Sequence, residues 1–212
     1  MNQINRYVGK GENARILAEY LKENKGIDHS SSQAIMSPCI IIGDHGHTHD
    51  RTYNNIKKLS SQGLSFDYIH IDFHSDLAAG GGCPDSSNFV SWLLIDGLVD
   101  KVYMIGNDSF PLPTNNPLEL KIAEYEGRNP IHNVVRSYVS AATPDFIPFL
   151  KNETFYVSID LDVIDDSIFS GEEYTGSQEG QLSVNDVLQV LSMIKQSGAK
   201  VIGADLCGFE VE

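Results

Sequence analysis

The sequence predicts an α/β fold of three layers, α/β/α, built on a mostly parallel sheet. Short apolar runs that suit buried strands alternate with helical patterns of about 10–15 residues, which is the arrangement of βαβ units. The chain of 212 residues fits one domain, and its sequence contains no internal repeat, linker or low-complexity tract. We therefore expect a single domain over residues 1–212.

The first three predicted elements are a helix over 12–25, a strand over 37–42 and a helix over 53–62. The first helix repeats Ile16, Leu17, Tyr20 and Leu21 at helical spacing before a stop at Gly26. The strand is a short apolar run that ends at a glycine, and the second helix also stops at a glycine.

The next three predicted elements are a strand over 66–72, a helix over 88–97 and a strand over 101–105. The helix carries Phe89, Val90, Trp92 and Leu93. The stretch 107–117 that follows is rich in Pro, Asn and Asp and predicts an irregular surface loop.

The last three predicted elements are a strand over 155–161, a helix over 183–197 and a strand over 200–206. Ser183 is followed three residues later by Asp186, a spacing that resembles a capping box at the start of a helix. Gly198 marks the end of this helix.

Composition excludes some classes of partner and compartment. The formal net charge of −14 argues against a nucleic-acid partner, whose phosphates attract clusters of Lys and Arg. A strongly acidic chain favours metal cations and cationic substrates such as guanidinium or amine groups, although an acidic surface can also serve solubility alone. The N-terminal residues lack the apolar core of a signal peptide, and no run is long enough to cross a membrane, so we expect a soluble cytoplasmic protein.

The cysteines agree with that compartment. Cys39, Cys83 and Cys207 are widely spaced, without a C-x-x-C pair. This pattern predicts reduced thiols rather than a disulfide framework or a structural zinc site.

Acidic and imidazole side chains are concentrated where two predicted strands end. Asp72, His74 and Asp76 stand at every second position, so we expect them to project from one face of a strand end. The same alternation places Asp160 and Asp162 on one face of a second strand end. Such a gathering of carboxylates is costly unless a cation binds them, because the charges repel and lose hydration.

His45 follows a third predicted strand, and the carboxyl ends of parallel strands meet at one edge of a sheet. Taken singly, Asp72 could be an ordinary turn residue and His74 a buried core histidine. The convergence of three strand ends instead favours a metal site with more than one ion. His70 falls on the same strand face as Asp72 but deeper in the sheet, where it would support the ligands.

Three segments resemble, in the same order, the motifs of the arginase and deacetylase superfamily. They are Gly43-Asp44-His45-Gly46, Asp72-Phe73-His74-Ser75-Asp76 and Ser158-Ile159-Asp160-Leu161-Asp162-Val163-Ile164-Asp165. The resemblance covers roughly residues 40–206 and implies a compact arginase-like fold. It implies a set of metal ligands that consists of His45, Asp72, His74, Asp76, Asp160 and Asp162. Asp72 and Asp160 would bridge two Mn²⁺ ions, which accept mixed oxygen and nitrogen ligands.

The resemblance also implies a reaction. Asp76 and Asp162 are both present, which matches the two-metal, ureohydrolase-like branch rather than the deacetylase branch with one Zn²⁺ and fewer carboxylates. The implied reaction is hydrolysis of a guanidinium to an amine and urea. Two ions can share a water and lower its pKa, and Asp76 would assist the proton transfer to the leaving amine.

Two family positions are replaced in this chain. The guanidinium-binding Glu is expected three residues after Asp205, where this chain has a glycine, and Glu210 or Glu212 is the candidate replacement. The proton-shuttling His expected about a dozen residues after the Asp-x-His-x-Asp segment is absent. His47 or His49 is the candidate for that role.

The stretch 86–97 and the short length most resemble a group of compact peptide arginases, which convert arginine side chains of ribosomally made peptides to ornithine. This resemblance implies an arginine-containing peptide as the substrate and makes Asn88 a candidate substrate contact. The alternatives are a free guanidino compound such as arginine or agmatine, a one-zinc amide hydrolase, and a non-catalytic binding module. The sequence leaves a homo-oligomer open.

Overall fold

The chain folds into alternating strands and helices in the computed structural model, which describes residues 16–17, 20, 40–42, 48–77, 83–106, 134–137, 150–151, 153–164, 180 and 182–207. The described strands are β1 (Ile40–Ile42), β2 (Asp67–Ile71), β3 (Val102–Ile105), β4 (Val134–Ser137), β5 (Thr154–Asp160) and β6 (Lys200–Cys207). The helices with described bounds are α1 (Thr48–Ser61), α2 (Phe89–Ile95) and α3 (Val184–Gln196), and a short 3₁₀ helix spans Leu161–Val163. Within these residues, none of the helices combines the length and the apolar character needed to cross a bilayer.

The strands form one six-stranded sheet in the order β1-β6-β5-β2-β3-β4, and every described pair is parallel. The chain runs outward from β2 through β3 and β4 and then returns to β5, on the other side of β2. β2 and β5 are therefore neighbours at the point where the strand order reverses. Open parallel sheets bind ligands beyond the carboxyl ends of the strands at such a point. The predicted α/β class is confirmed.

One face of the sheet, called here the aliphatic face, packs against α3. Ile69 and Ile71 of β2 and Ile159 of β5 belong to its core. The helix begins where the sequence predicts, because Ser183 Oγ accepts a hydrogen bond from the Asp186 backbone N–H at 3.2 Å and Asp186 Oδ2 accepts one from Ser183 N at 2.8 Å. This capping box satisfies backbone donors that the first turn of a helix leaves free.

The opposite face, called here the mixed face, packs against α1 and α2. Its apolar part joins Ile56 of α1 and Phe89 of α2 to Tyr68 and Tyr156 of the sheet. It also buries several polar side chains, among them His70 of β2, Ser158 of β5 and Asp205 of β6.

A β-bulge in β6 determines which of its residues reach the mixed face. Phe155 pairs with Val201, but the next residue, Tyr156, pairs with Gly203, so that Ile202 is the extra residue. After this shift, Gly203 lies under the Tyr156 ring, since a Cβ there would meet the ring at 2.6 Å. The following alternate residues, 205 and 207, share that face.

One predicted helix boundary differs from the structure, and one strand of the structure is not predicted from the sequence. Helix α1 begins at Thr48 rather than at residue 53, because its first turns bury polar residues, among them Thr52, that apolar spacing does not detect. Strand β4 was not predicted, since its four residues at the end of the strand order carry too short a pattern to distinguish from a loop. Most of the predicted helix over 12–25 and the predicted loop over 107–117 lie outside the described residues.

Candidate metal centre

The first segment of the candidate site follows β2, and its geometry corrects the strand-alternation prediction. The strand ends at Ile71, so Asp72, His74 and Asp76 lie on a turn and not on a strand. Asp72 Oδ1 accepts a hydrogen bond from the His74 backbone N–H at 2.6 Å, which bends the chain at once. Asp76 has a φ of +49°, a left-handed conformation that Asp tolerates better than most residues. The side chains converge because of this turn.

The second segment follows β5, and its first aspartate also accepts a hydrogen bond from a backbone N–H two residues ahead. The strand ends at Asp160, and Leu161–Val163 forms a 3₁₀ helix, so alternation along a strand does not hold here either. Asp160 Oδ1 accepts a hydrogen bond from the Asp162 backbone N–H at 3.0 Å and thereby caps this helix. In both segments an aspartate at the strand end folds the backbone back toward the sheet edge.

These two segments are joined directly. His74 Nδ1 donates to Asp162 Oδ2 at 2.6 Å, and the Phe73 backbone N–H donates to Asp162 Oδ1 at 3.2 Å. The carboxylate of Asp162 is thus held by both of its oxygens. Asp72, His74 and Asp162 each offer one ligand atom, and these three atoms lie within 4.8 Å of one another.

A third segment reaches the site from the start of α1. His49 Nε2 donates to Asp160 Oδ2 at 2.9 Å and lies 4.0 Å from Asp76 Oδ2. The imidazole is buried and stacks on the Phe89 ring, with 4.8 Å between centroids and 18° between planes. Packing against α2 therefore fixes the orientation of this ring.

The electrostatics of the cluster call for a cation. Burial, followed by the charges of neighbouring aspartates, raises the pKa of Asp72 well above its usual range. Burial also raises the pKa of Asp76 to about 7, although nearby His49 opposes the shift. Asp76 Oδ2 is buried and has no hydrogen-bond partner. A divalent cation would supply the missing positive charge and ligand, so the residues fit a metal.

The two buried histidines differ in charge. Burial disfavours protonation of His49, but its hydrogen bond to Asp160 and the charges of nearby aspartates together raise its pKa to about 9. Burial and the proximity of His49 lower the pKa of His70 to about 3, so His70 is neutral. His49 therefore carries a proton at a position where a cation would replace it.

His70 supports the ligands from inside the sheet, as the sequence predicts. Its Nδ1 accepts a hydrogen bond from the Tyr68 hydroxyl at 3.0 Å, and its Nε2 donates to the His74 carbonyl at 3.2 Å. The same Nε2 lies 3.3 Å from Asp72 Oδ2 and 3.7 Å from Asp76 Oδ2. These contacts fix the tautomer and orient the turn after β2.

Beneath His49, Asp205 of β6 is fully buried and fully hydrogen-bonded. Its Oδ2 accepts from the Tyr156 hydroxyl at 2.8 Å, and its Oδ1 accepts from Ser158 Oγ. Thr52 of α1 also hydrogen-bonds to this carboxylate. Asp205 thereby ties α1, β5 and β6 together under the site.

His45, His47, Glu210 and Glu212 lie outside the described residues. Asn88 is buried, and its side chain accepts from the Asp85 backbone N–H at 2.8 Å and donates to the Asp85 carboxylate at 3.0 Å. These bonds hold the turn before α2, and the role of Asn88 in substrate binding stays a prediction.

Sequence reasoning treated Cys207 only as a reduced thiol, yet it lies in the cluster. The group His49, Asp160 and Cys207 also offers three ligand atoms within 4.8 Å of one another. Its pairing partner across the sheet is Asp160. A signal was available, because Cys207 ends an apolar strand and therefore had to reach the same sheet edge as the predicted ligands.

A parallel sheet with carboxylates and imidazoles clustered at its strand reversal defines a metallohydrolase-like α/β protein. Residues 14–211 match the Arginase family, and the chain belongs to that family. The family consists of hydrolases that act on C–N bonds of guanidino and amidino groups and is typically binuclear and metal-dependent. A search of curated proteins gives no match.

Solved structures with the same fold are remote in sequence. Formimidoylglutamase from Bacillus subtilis superposes with a TM-score of 0.58 at 19% identity, over 81% of this chain and 52% of that one. A putative agmatinase from Clostridium difficile gives 0.57 at 18%, over 97% and 83%. Arginase from Medicago truncatula gives 0.54 at 20%, over 79% and 50%, so this chain spans about half the length of that relative. These likenesses establish the fold.

Proposed function

We propose that this chain is a binuclear metal hydrolase that converts the guanidinium of peptidyl arginine to ornithine and urea. The observation that carries the proposal is the convergence of buried aspartates and imidazoles from three segments at the reversal point of the sheet. The ion pairs described at this cluster join its aspartates to histidines, which are also common metal ligands.

Two divalent cations, with Mn²⁺ as the expected ion, would be held by opposite sides of the cluster. Asp72, His74, Asp160 and Asp162 would hold one ion, and Asp72, Asp76 and Asp160 would contribute to the other. Such ions supply Lewis acidity and lower the pKa of a water molecule. An imidazole completes the second set, and either His45, from the family resemblance, or His49, from its contact with Asp160, can provide it.

Side chains of the protein would then transfer the proton from the attacking water to the leaving nitrogen. Asp76, to which the family resemblance assigns the proton transfer, would accept a proton from the attacking water through the carboxylate oxygen that does not bind an ion. That proton passes to the leaving nitrogen as the guanidinium C–N bond breaks, so water and guanidinium yield an amine and urea. Glu210 or Glu212 would bind the guanidinium, and His47 would shuttle protons. The burial of His49 favours a ligand role over a shuttle role.

The net charge of −14 supports an arginine-bearing peptide as the substrate, because an acidic enzyme attracts a cationic chain. The sequence of residues 86–97 resembles peptide arginases and supports the same choice. The second candidate is a small guanidino or amidino compound. It is favoured by the names of the solved relatives, which include arginase, agmatinase and formimidoylglutamase.

The test is urea release by the Mn²⁺-loaded full chain from an arginine-containing peptide, free arginine and agmatine. The peptide should give the highest kcat/KM, and Asp162→Asn should abolish urea release. Asp100→Asn is the matched control, because Asp100 is exposed at the opposite edge of the sheet, where Ser65 Oγ donates to it. Preference for free arginine or agmatine would select the second candidate. Absence of urea from all three substrates would refute the peptide proposal and the guanidino form of the second candidate.

A second experiment decides between the two imidazoles. Mn²⁺ content should fall from about two ions per chain to about one in whichever of His45→Ala and His49→Ala removes a ligand, since the family resemblance gives each ion one imidazole. If both variants retain two ions, neither histidine is a ligand.

A further inference from the structure

Cys207 extends the candidate metal centre with a sulfur atom. It is the last residue of β6, it is fully buried, and it pairs with Asp160 at the end of β5. Its Sγ lies 3.5 Å from Asp160 Oδ2 and 3.8 Å from His49 Nε2. The Ile159 carbonyl, 3.4 Å away, accepts a hydrogen bond from the thiol. The thiol therefore faces the predicted ligand Asp160 and the candidate ligand His49, and not an apolar pocket.

The spacing of these three donors suits one small cation. With metal–sulfur and metal–nitrogen bonds of about 2.3 and 2.0 Å, neighbouring ligands around a tetrahedral ion are roughly 3.3–3.6 Å apart. Here His49 Nε2 is 2.9 Å from Asp160 Oδ2, and Cys207 Sγ is 3.5 Å from that oxygen and 3.8 Å from that nitrogen. Little movement would bring all three into a first coordination sphere.

A second observation points into the same space. Asp76 Oδ2 is buried without a hydrogen-bond partner and lies 4.0 Å from His49 Nε2. His49, Asp72 and Asp76 form a separate group of ligand atoms within 4.8 Å of one another, so Asp76 approaches the cysteine group from the His49 side and would have to move to become a fourth ligand. The four donors would then be one sulfur, one nitrogen and two carboxylate oxygens, and thiolate, imidazole and carboxylate are each ligands that Zn²⁺ accepts.

We infer that Cys207 is a thiolate ligand and that the ion it shares with His49 and Asp160 is Zn²⁺, Fe²⁺ or Co²⁺ rather than Mn²⁺. The inference rests on the proposed metal centre and refines it into a mixed pair. Mn²⁺ stays at the harder position of Asp72, His74 and Asp162, a group whose ligand atoms are oxygen and nitrogen. Binding of the soft ion releases the thiol proton to solvent, because a coordinating thiol is deprotonated.

The test uses Co²⁺ as a spectroscopic probe on the full chain. Cobalt content and the near-ultraviolet thiolate-to-cobalt charge-transfer absorption are measured together. The wild type should show the band, Cys207→Ser should lose it, and Cys39→Ser and the exposed Cys83→Ser should retain it. Zn²⁺ affinity should fall at least about tenfold in Cys207→Ser, since even loss of an outer partner costs that much, while Mn²⁺ affinity changes far less.

The outcomes separate this inference from the proposed function. Bound cobalt without the band, or a band that survives in Cys207→Ser, overturns the thiolate ligand and leaves the metal centre intact. A wild type that binds no divalent ion overturns both. If Cys207→Ser does not fold, X-ray absorption of the zinc-loaded wild type decides, because a thiolate ligand gives a scatterer at about 2.3 Å and its absence refutes the inference.

Discussion

The two faces of the sheet use the same strands for opposite purposes. On the aliphatic face, Ile69, Ile71 and Ile159 are packed under α3. On the mixed face, the residues between them are polar, as His70 and Ser158 illustrate, and both are buried. Because side chains alternate along a strand, neighbouring residues of one strand serve different purposes: one packs in the apolar core and the next belongs to the polar face that carries the candidate site.

This division explains how a costly cluster is tolerated. Buried like charges destabilise the metal-free fold, as the raised pKa of Asp72 indicates. Each fully buried aliphatic side chain on the other face contributes about 1.5–3 kcal/mol in compensation. The comparison predicts that substitutions on the two faces have different consequences for activity and for stability.

The largest expected effect is the loss of activity in Asp72→Asn. Asp72 is the proposed bridge between two ions, so its neutralisation should lower urea release by about 10³-fold, the equivalent of several kcal/mol of transition-state stabilisation. The metal-free melting temperature should stay constant or rise, since a repelled charge is removed. Calorimetry in the presence of a chelator and urea assays with Mn²⁺ measure the two quantities. A large drop in metal-free stability would contradict the division of the faces.

The next effect belongs to the aliphatic face. Ile69→Ala should lower the free energy of unfolding by about 2–5 kcal/mol, because Ile69 is fully buried and the cavity cannot collapse. The activity of the fraction that remains folded should change little. Denaturant titration gives the loss, and Ile69→Val serves as the control, at about 0.5–1.5 kcal/mol. Equal losses in the two variants would show that this core is loosely packed.

A smaller effect tests how tightly the strand ends pack together. Gly106 and Gly63 both have positive φ, at +90° and +79°, but a Cβ at Gly106 would meet Val163 Cγ2 at 2.2 Å, whereas nothing lies within 4 Å at Gly63. Both alanine variants should lose about 1–2 kcal/mol from backbone strain. Gly106→Ala should lose about 1–3 kcal/mol more through overpacking.

The same pair should also differ in function. The added methyl at Gly106 presses on Val163 and lies 3.2 Å from the Asp72 carbonyl, and both neighbours belong to ligand-bearing segments. Urea release should therefore fall in Gly106→Ala and stay normal in Gly63→Ala. If denaturation midpoints and activities of the two variants coincide, the packing argument is wrong.

The smallest effect concerns Asp67, an acidic residue on the aliphatic side of β2. Burial raises its pKa from 3.8 to about 6, although Lys101 opposes the shift. Because the folded pKa exceeds the unfolded one, Asp67 contributes stability below pH 4 that is lost as the pH rises through 6. Asp67→Asn should match the wild type near pH 4 and exceed it above pH 6, in melting curves of the metal-free protein. A wild type that is more stable than the variant above pH 6 would contradict this sign.

Much of the arrangement could be predicted from the sequence. Apolar runs that end at polar residues located β2, β5 and β6 to within one or two residues. Parallel pairing then required their ends to meet at one edge. The approach of Asp72 and Asp160 followed from topology and needed no knowledge of side-chain conformation.

The local geometry could not be predicted in the same way. Alternation along a strand was the wrong reason for the convergence of Asp72 with Asp76 and of Asp160 with Asp162, because the first aspartate of each segment bends the backbone by a hydrogen bond two residues ahead. Such a bond depends on the conformation of a single side chain. The position of Cys207 at the end of an apolar strand predicts that it reaches the same sheet edge, but an isolated cysteine carries no spacing pattern that marks it as a ligand.

The bulge at Ile202 determines which face of the sheet each later side chain of β6 occupies. If β6 paired without the bulge while retaining Ile202, Ile202 would lie opposite Tyr156 and each later side chain would exchange sides. Asp205 and Cys207 would then turn toward the aliphatic face, and Ala204 and Leu206 would take their places under the imidazole. Deletion of Ile202 would have the opposite outcome, because Gly203 would follow Val201 directly and still pair with Tyr156, so Asp205 and Cys207 would keep their face. The proposed metal site therefore depends on the irregular pairing of β6 and not on the identity of residue 202.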